Sequence, residues 1–215
     1  MTQVFSRRGE LAAKLALCAV AMGAAVAVAV AASRLRADLE IGEPVPQPIP
    51  FSHKHHVGDV GIDCRYCHTT VETRAFAGMP STHVCLTCHS QLFARADVLA
   101  TLRQSAASGR PIAWNRVHRL PDFVYFDHSV HVAKGVACTE CHGRVDQMPL
   151  TWRASPLQMQ WCLGCHRHPE SHLHPLADVF APDVAETRPD EGAALARRMH
   201  LHDERRLTDC STCHR

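Results

Sequence analysis

One uninterrupted apolar stretch stands out near the start of the chain. Residues 15–32 contain no charged side chain, and half of them are Ala. As an α-helix this stretch spans about 27 Å, close to the hydrocarbon thickness of a bilayer. It is longer than the apolar core of a typical signal peptide, which has about 7–15 residues. The pattern therefore predicts a retained transmembrane helix over 15–32. A cleaved signal peptide is the alternative, because small residues end the stretch.

The rest of the chain has short, interrupted apolar patterns. Residues 33–50 alternate Pro with other residues near their end, which predicts an extended, semi-rigid linker. Apolar residues spaced through 90–108 predict a helix that ends at Gly109, and residues 188–202 predict a second short helix. Residues 167–187 are rich in Pro and His and are typical of a loop. Low secondary-structure content is expected.

Five copies of the motif C-x-x-C-H are the strongest chemical signal. The spacing lets two thiols reach the two vinyl groups of one porphyrin, and the His that follows can bind the iron. The sequence therefore predicts five covalent c-type haems. The thioether cysteines are Cys64, Cys67, Cys85, Cys88, Cys138, Cys141, Cys162, Cys165, Cys210 and Cys213. The motif ligands of the irons are His68, His89, His142, His166 and His214.

Zinc sites and disulfides are the alternatives for paired cysteines. The first two pairs are separated by 17 residues and the next two by 20, which fits a two-pair zinc pattern. However, the fifth pair has no partner, and a His follows every pair. With 17 His in 215 residues, five such coincidences have a chance probability on the order of one in a million. The sequence therefore favours haem.

An internal repeat arranges four of the five motifs in two pairs. Residues 51–56 and 126–131 both read F-x-H-x-x-H, and each unit precedes two C-x-x-C-H motifs. A Met-Pro pair stands before the second motif in both copies. We predict a mainly irregular and α-helical multihaem cytochrome c with two duplicated dihaem modules. The predicted boundaries are 1–14 for a cytoplasmic N-terminus, 15–32 for the transmembrane helix, 33–50 for the Pro-rich linker, 51–107 and 108–175 for the modules, and 176–215 for a tail with the fifth haem.

The sixth ligand of each iron decides the chemistry, because an open position binds substrate whereas a filled one leaves only electron transfer. Twelve His lie outside the motifs. The two F-x-H-x-x-H units supply four candidates, and a fifth is chosen for its place shortly before the rigid Pro121. The predicted sixth ligands are His53, His56, His118, His128 and His131. Met is the competing ligand type, at Met79, Met148 or Met159.

Charge narrows the classes of function. The formal net charge is +2, but residues 37–215 contain 18 basic and 20 acidic side chains, and haem propionates would add negative charge. This argues against nucleic acid and for protein or small redox partners. Thioether bonds to haem are made outside the bacterial inner membrane, so the haem part is expected in the periplasm. Arg7, Arg8 and Lys14 would then face the cytoplasm, as the positive-inside rule prefers.

Two stretches resemble one known family. Residues 47–56 read QPIPFSHKHH and lead into GIDCRYCH at 61–68, and residues 120–131 read LPDFVYFDHSVH. They are similar to the pentahaem, membrane-anchored cytochrome subunit of bacterial alternative complex III, whose modules resemble those of the cytochrome c3/c7 class. The resemblance covers residues 47–166 and the terminal motif.

The resemblance implies a respiratory role. Alternative complex III oxidises quinol in integral-membrane subunits and passes electrons through iron–sulfur clusters and haems to a periplasmic cytochrome c, a copper protein or a terminal oxidase. The chain is therefore expected to be an electron-transfer subunit, not itself an enzyme, with iron–sulfur and integral-membrane subunits as partners. The Ala21, Ala25 and Ala29 stripe favours packing of its helix against other helices.

Two other functions remain open from the sequence. One is a membrane-anchored quinol dehydrogenase cytochrome that feeds a periplasmic reductase, with Asp63 or Lys54 nearest to a quinol site. The other is a haem enzyme with an open iron site. The surplus of His argues against the enzyme, because enough side chains are present to fill every axial position.

Overall fold

The computed structural model describes residues 6–214, with the side chains of 35–39 excepted. The first five residues of the predicted segment 1–14 and the last residue of the predicted tail lie outside the described residues. The chain forms two units, one up to Ile41 and one from Gly42 onward.

The first unit is dominated by a single helix, α1 (Arg7–Leu39). Within the described residues, one helical segment, Arg7–Arg34, is long and apolar enough to cross a membrane. The helix begins before the predicted start at residue 15 because charged residues also favour helix here. Lys14 donates to Glu10 at 2.6 Å, one turn away, which stabilises the first turns.

The second unit consists of short helices joined by long loops. Its α-helices are α2 (Cys64–Cys67), α3 (Thr82–His89), α4 (Ala100–Ser108), α5 (His128–Ala133), α6 (Cys138–His142), α7 (Met159–Arg167), α8 (Pro189–Arg198), α9 (Glu204–Leu207) and α10 (Cys210–Cys213). Single π or 3-10 turns lie at Lys54–Asp59, Asp97–Leu99, Val145–Gln147 and Pro169–His172. In the described part of the chain, β structure is limited to isolated bridges. The expected low secondary-structure content, mostly helical and irregular, is confirmed.

Aspartates begin several of the short helices that carry predicted haem residues. Asp63 accepts a hydrogen bond from the backbone N–H of Arg65 at the start of α2, and Asp209 does the same at the start of α10. Asp127 caps α5 in the same way. Such caps satisfy backbone donors that a helix leaves unpaired, so they stabilise helices too short to persist alone.

The apolar core of the second unit is small. Ile49, Leu99 and Leu102 are buried together, with Trp114 packed against them. The helix predicted over 90–108 is present only in its second half, as α4. Phe93 has a φ of +55°, which interrupts helical geometry, whereas Gly109 has a φ of +68° and ends α4 as predicted.

The Pro-rich stretch packs on the second unit instead of standing free. The side-chain amide of Gln47 exchanges two hydrogen bonds with the backbone of Asn115, at 2.8 and 2.9 Å. The N–H of Val45 donates to the carbonyl of Thr151 at 3.1 Å. The sequence predicted a spacer over 33–50, but residues 42–50 are docked. A Pro-rich segment makes no internal hydrogen bonds, so its polar groups are available to neighbouring loops.

The tail is held against the preceding loop by a close backbone approach. Gly192 in α8 lies on the backbone of Glu170, where an added Cβ would overlap the carbonyl oxygen. Leu195, on the same helix, is buried. The short helix predicted within 188–202 is therefore present, and only a glycine at position 192 permits its contact with the turn at Pro169–His172.

Candidate haem centres

Each C-x-x-C-H motif forms one helical turn. The first, third and fifth motifs begin α2, α6 and α10, whereas the second and fourth lie inside α3 and α7. Side chains three residues apart share a face of a helix, so the two thiols of a motif point to the same side. All ten motif cysteines lie in the described part of the chain, and none of them forms a disulfide there. This arrangement fits two thioether bonds to one porphyrin, with a histidine directly after the second thiol.

The zinc alternative requires four ligands around one point. Between residues 6 and 214, no group of three or more His, Cys, Asp and Glu side chains has a geometry that would hold a metal ion. The first and second cysteine pairs do not converge in this way, and neither do the third and fourth. The geometry gives no support to zinc.

Four of the five motif histidines donate from Nδ1 to a backbone carbonyl. The acceptors are Gly78 for His68 (2.7 Å), Leu92 for His89 (3.0 Å), Leu207 for His166 (2.8 Å) and Phe123 for His214 (3.2 Å). An Nδ1 that donates carries the ring proton, which leaves the lone pair on Nε2. This is the tautomer that a metal-binding imidazole needs, and the acceptor fixes the ring orientation.

Three of the four histidines of the F-x-H-x-x-H units follow the same rule. Nδ1 donates to the backbone carbonyl of Ser52 for His56 (2.8 Å), of Ala75 for His128 (2.7 Å) and of Asp127 for His131 (2.7 Å). The Nε2 atoms of these three are therefore available as ligands, and Nδ1 of His53 lies 2.9 Å from the Thr151 hydroxyl. The carbonyls that orient them come mostly from loops, which sequence reasoning did not identify.

Three pairs of rings have a spacing that fits one iron between them. The ring centroids are 6.2 Å apart for His56 and His89, 6.3 Å for His128 and His142, and 6.1 Å for His131 and His166. A His nitrogen binds a metal at about 2 Å, so two rings on opposite sides of an iron lie roughly this far apart. Each pair joins a histidine of a repeat unit to a motif histidine.

His53 extends this pattern to the first motif. Burial lowers its pKa to about 4, and a charge on His68 of the first motif would lower it further. By ring distance, the structure brings together six of the ten histidines that the sequence singled out.

A phenylalanine orients both histidines of each unit. Phe51 stacks on His56 at 4.4 Å between centroids and meets His53 edge-on at 4.9 Å. Phe126 repeats this geometry, with His131 at 4.6 Å and His128 edge-on at 4.7 Å. The Phe that begins both copies of the repeat was the sequence signal for this role, although the sequence alone did not assign the role.

His118 and His214 do not meet. The Nε2 of His118 lies 3.3 Å from the Nδ1 of His142, in the third motif. The ring of His214 lies beside Phe123, with centroids 5.8 Å apart. The sequence-based role of His118 as a sixth ligand stays a prediction.

The competing methionine ligands differ in their surroundings. Met148 is fully buried, with its methyl group near Gly143, as expected of a side chain that fills a gap. Met79 and Met159 are exposed. Met159 stands one helical turn before Cys162, whose thiol pKa is raised by the nearby Cys213 of the fifth motif as well as by burial.

Burial keeps the candidate ligands neutral. It lowers the pKa of His142 to about 3 and that of His118 to about 4, and it lowers the pKa of His131 as well. Neighbouring histidines add to the effect at His142. Neutral imidazole is the form that binds a metal, so these sites require no deprotonation at neutral pH.

The motifs lie next to one another in a definite order. The Tyr66 hydroxyl and Thr87 Oγ1, in the first and second motifs, are 2.7 Å apart. Cys64 Sγ in the first motif donates to the carbonyl of Phe180 at 3.7 Å, and the N–H of Cys138 in the third motif donates to the neighbouring carbonyl of Val179 at 3.1 Å. These contacts place the first motif between the second and the third.

The remaining motifs continue the row. Burial raises the pKa of Cys141 to about 12, and the nearby Cys165 of the fourth motif adds to this. The fifth motif lies near the fourth, because Nδ1 of His166 donates to the carbonyl of Leu207, three residues before Cys210. The contacts between motifs therefore run from the second to the first, third, fourth and fifth, and we call this order the row of motifs.

Comparison with known proteins agrees with these features. Residues 124–215 match the family described as cytochrome c7 and related cytochrome c, and they include the last three motifs. The chain is also 40% identical over 95 residues to a protein of Nitratidesulfovibrio vulgaris (strain Hildenborough) named "Menaquinone reductase, multiheme cytochrome c subunit". The match covers 44% of this chain and 44% of that protein, so it spans less than half of the relative. The expected likeness to cytochrome c7 modules is confirmed for residues 124–215, whereas membership of alternative complex III stays a prediction.

Proposed function

We propose that this chain, whose residues 124–215 are a cytochrome c7-like multihaem domain, is an electron-transfer subunit with five covalent c-type haems. The observation that carries the proposal is the set of three histidine pairs with ring centroids 6.1–6.3 Å apart. Each pair combines a motif histidine with one from an F-x-H-x-x-H unit. A haem enzyme would instead keep one axial side open for its substrate.

The residues of the chain hold haem irons and bind no substrate there. A c-type haem supplies one-electron oxidation and reduction when it is bound. The motif cysteines would hold it covalently, and the paired histidines would bind its iron. The Nδ1 acceptors hold each ring in one orientation, which limits rearrangement when the iron changes charge. We therefore propose electron transfer without catalysis at iron.

The spatial order of the motifs favours a linear relay. Each F-x-H-x-x-H unit supplies histidines to two motifs, so the first four motifs form two copies of a dihaem module. The fifth motif follows the fourth. In this relay the haems of the second and fifth motifs lie at the two ends. Partner proteins would exchange electrons at these ends.

The helix α1 supports a membrane location. Its length and composition allow it to cross a bilayer, and covalent haem attachment outside the inner membrane places the second unit in the periplasm. Arg7 and Arg8, at the start of the helix, would face the cytoplasm, as the positive-inside rule prefers.

The partner complex is proposed to exchange electrons with quinone or quinol. The resemblance of residues 47–166 to the pentahaem subunit of alternative complex III favours quinol oxidation, with electrons leaving to a periplasmic cytochrome c or a terminal oxidase. The relative from Nitratidesulfovibrio vulgaris is named as a subunit of a menaquinone reductase, which favours the opposite direction as the second candidate. An anchored quinol dehydrogenase feeding a periplasmic reductase is the third.

Haem number and coordination test the central proposal. We expect the full chain, matured with a c-type haem attachment system, to carry five covalent haems by intact mass. The visible spectrum of the reduced protein should change little when carbon monoxide is added, because histidines of the two F-x-H-x-x-H units would hold the irons of the first four motifs on their second side. Fewer haems, or a large spectral change, would contradict the proposal.

Purification from native membranes in mild detergent separates the candidate complexes. Iron–sulfur and integral-membrane subunits should co-purify if the chain belongs to an alternative complex III. Quinol oxidation with a cytochrome c acceptor then supports that complex, whereas net reduction of a menaquinone analogue supports the second candidate. A chain that purifies alone and oxidises quinol supports the third.

A further inference from the structure

His142 differs from the other four motif histidines in what its Nδ1 faces. The other four face backbone carbonyls, whereas the Nδ1 of His142 faces the Nε2 of His118 at 3.3 Å. The two rings are nearly perpendicular, at 84°, with centroids 4.3 Å apart. The His118 side chain thus lies where each of the other four motif histidines has a backbone carbonyl.

The direction of this hydrogen bond follows from ligation. If His142 binds iron through Nε2, its ring proton must be on Nδ1, because a neutral imidazole carries one proton. Nδ1 therefore donates and the Nε2 of His118 accepts. An Nε2 atom has a single lone pair, so it cannot accept this hydrogen bond and also bind an iron.

The surroundings of His118 suit an acceptor. Its ring is half-buried and meets the His142 ring edge-on. Its Nε2 is the atom that faces the Nδ1 of His142. An accepting ring carries its own proton on Nδ1 and directs the Nε2 lone pair at His142.

We propose that His118 is a positioning residue for the haem of the third motif, where it accepts a hydrogen bond from His142 and fixes that ligand. This inference rests on the proposed haem ligation. A hydrogen bond from the far nitrogen raises the basicity of a metal-bound imidazole, which favours the more highly charged metal. His118 therefore holds the reduction potential of this haem below the value that it would have without an acceptor.

The test compares three variants of the full-length, haem-loaded protein. His118→Leu removes the acceptor, and His118→Gln offers a side-chain carbonyl in its place. His168→Leu removes an exposed histidine that faces no motif histidine and is the matched control. Haem number of the unsubstituted protein by intact mass is checked first. Fewer than five haems there would overturn the proposed function, and this outcome is distinct from failure of the present inference.

Redox titration and electron paramagnetic resonance of the oxidised protein are the readouts. In His118→Leu we expect as many low-spin haems as in the unsubstituted protein, with one haem shifted to a higher potential. The shift should be on the order of tenfold in the one-electron equilibrium, or about 59 mV. His118→Gln should restore most of the original potential, and His168→Leu should shift none.

Two results would overturn the proposal. One is a high-spin haem in His118→Leu or His118→Gln, which would make His118 an iron ligand as the sequence alone suggested. The other is an unchanged set of five potentials in His118→Leu. Should that variant fail to mature, the spin state of His118→Gln decides by itself, because an amide does not replace a histidine on iron.

Discussion

At the scale of single residues, the choice of ring nitrogen organises the candidate haem centres. Nδ1 of four motif histidines and of three repeat-unit histidines donates to a backbone carbonyl. The acceptor selects the tautomer with a free Nε2 and prevents the ring from rotating. The spacing of residues along the sequence identifies the histidines, but the acceptors lie up to 91 positions away, as with Phe123 and His214.

Replacement of His128 tests the pairing at this scale. Its ring centroid lies 6.3 Å from that of His142. In His128→Ala we expect all five haems to remain attached, because thioether bonds do not depend on the sixth ligand, and one haem to become high spin. Electron paramagnetic resonance of the oxidised protein measures the change. His168→Ala is the control, and an unchanged spin state in His128→Ala would remove His128 from the ligands.

At the scale of elements, the second unit is built from short, capped helical turns, whereas an ordinary globular core is built from longer helices or sheets. The motifs sit in turns that start at caps such as Asp63 and Asp209, and few apolar side chains are buried between them. With so small an apolar core, contacts between neighbouring turns carry more of the stability of the unit. The approach of α8 to the turn at Pro169–His172 is one such contact.

Substitution of Gly192 tests that contact. The Cβ of Gly192→Ala would overlap the carbonyl of Glu170, so α8 must move away from the turn. We expect a loss of about 1–3 kcal/mol in the free energy of unfolding, the usual cost of overpacking, and faster proteolysis of the tail. Thermal denaturation and limited proteolysis measure these effects. Glu191→Ala, on an exposed position of the same helix, should change both little; equal effects would argue against a specific contact at residue 192.

At the scale of the whole molecule, the motifs of the second unit form a row in the order second, first, third, fourth, fifth. This row differs from the order along the chain, because the first motif lies between the second and the third. The backbone at residues 179–180, to which both the first and the third motif donate, therefore joins the two copies of the repeat. Electrons that cross between the modules would pass at this point.

Removal of single haems tests the row. Neighbouring haems influence one another's potentials through charge, and this influence falls with distance. Loss of the third haem in Cys138→Ala/Cys141→Ala should shift the potentials of two remaining haems, whereas loss of the second haem in Cys85→Ala/Cys88→Ala should shift one. Potentiometric titration of both variants gives the comparison. If each variant shifts the same number of haems, the row is wrong.

The sequence by itself determined the features that depend on local spacing. These are the C-x-x-C-H motifs, the apolar helix, the repeated F-x-H-x-x-H unit and the stop of α4 at Gly109, because each follows from residues a few positions apart. The tertiary structure decided which histidines face each other, which motifs are neighbours, how the Pro-rich stretch docks and where His118 lies. These features depend on loops that bring distant residues together, and loops without regular periodicity leave no pattern from which such distances can be read.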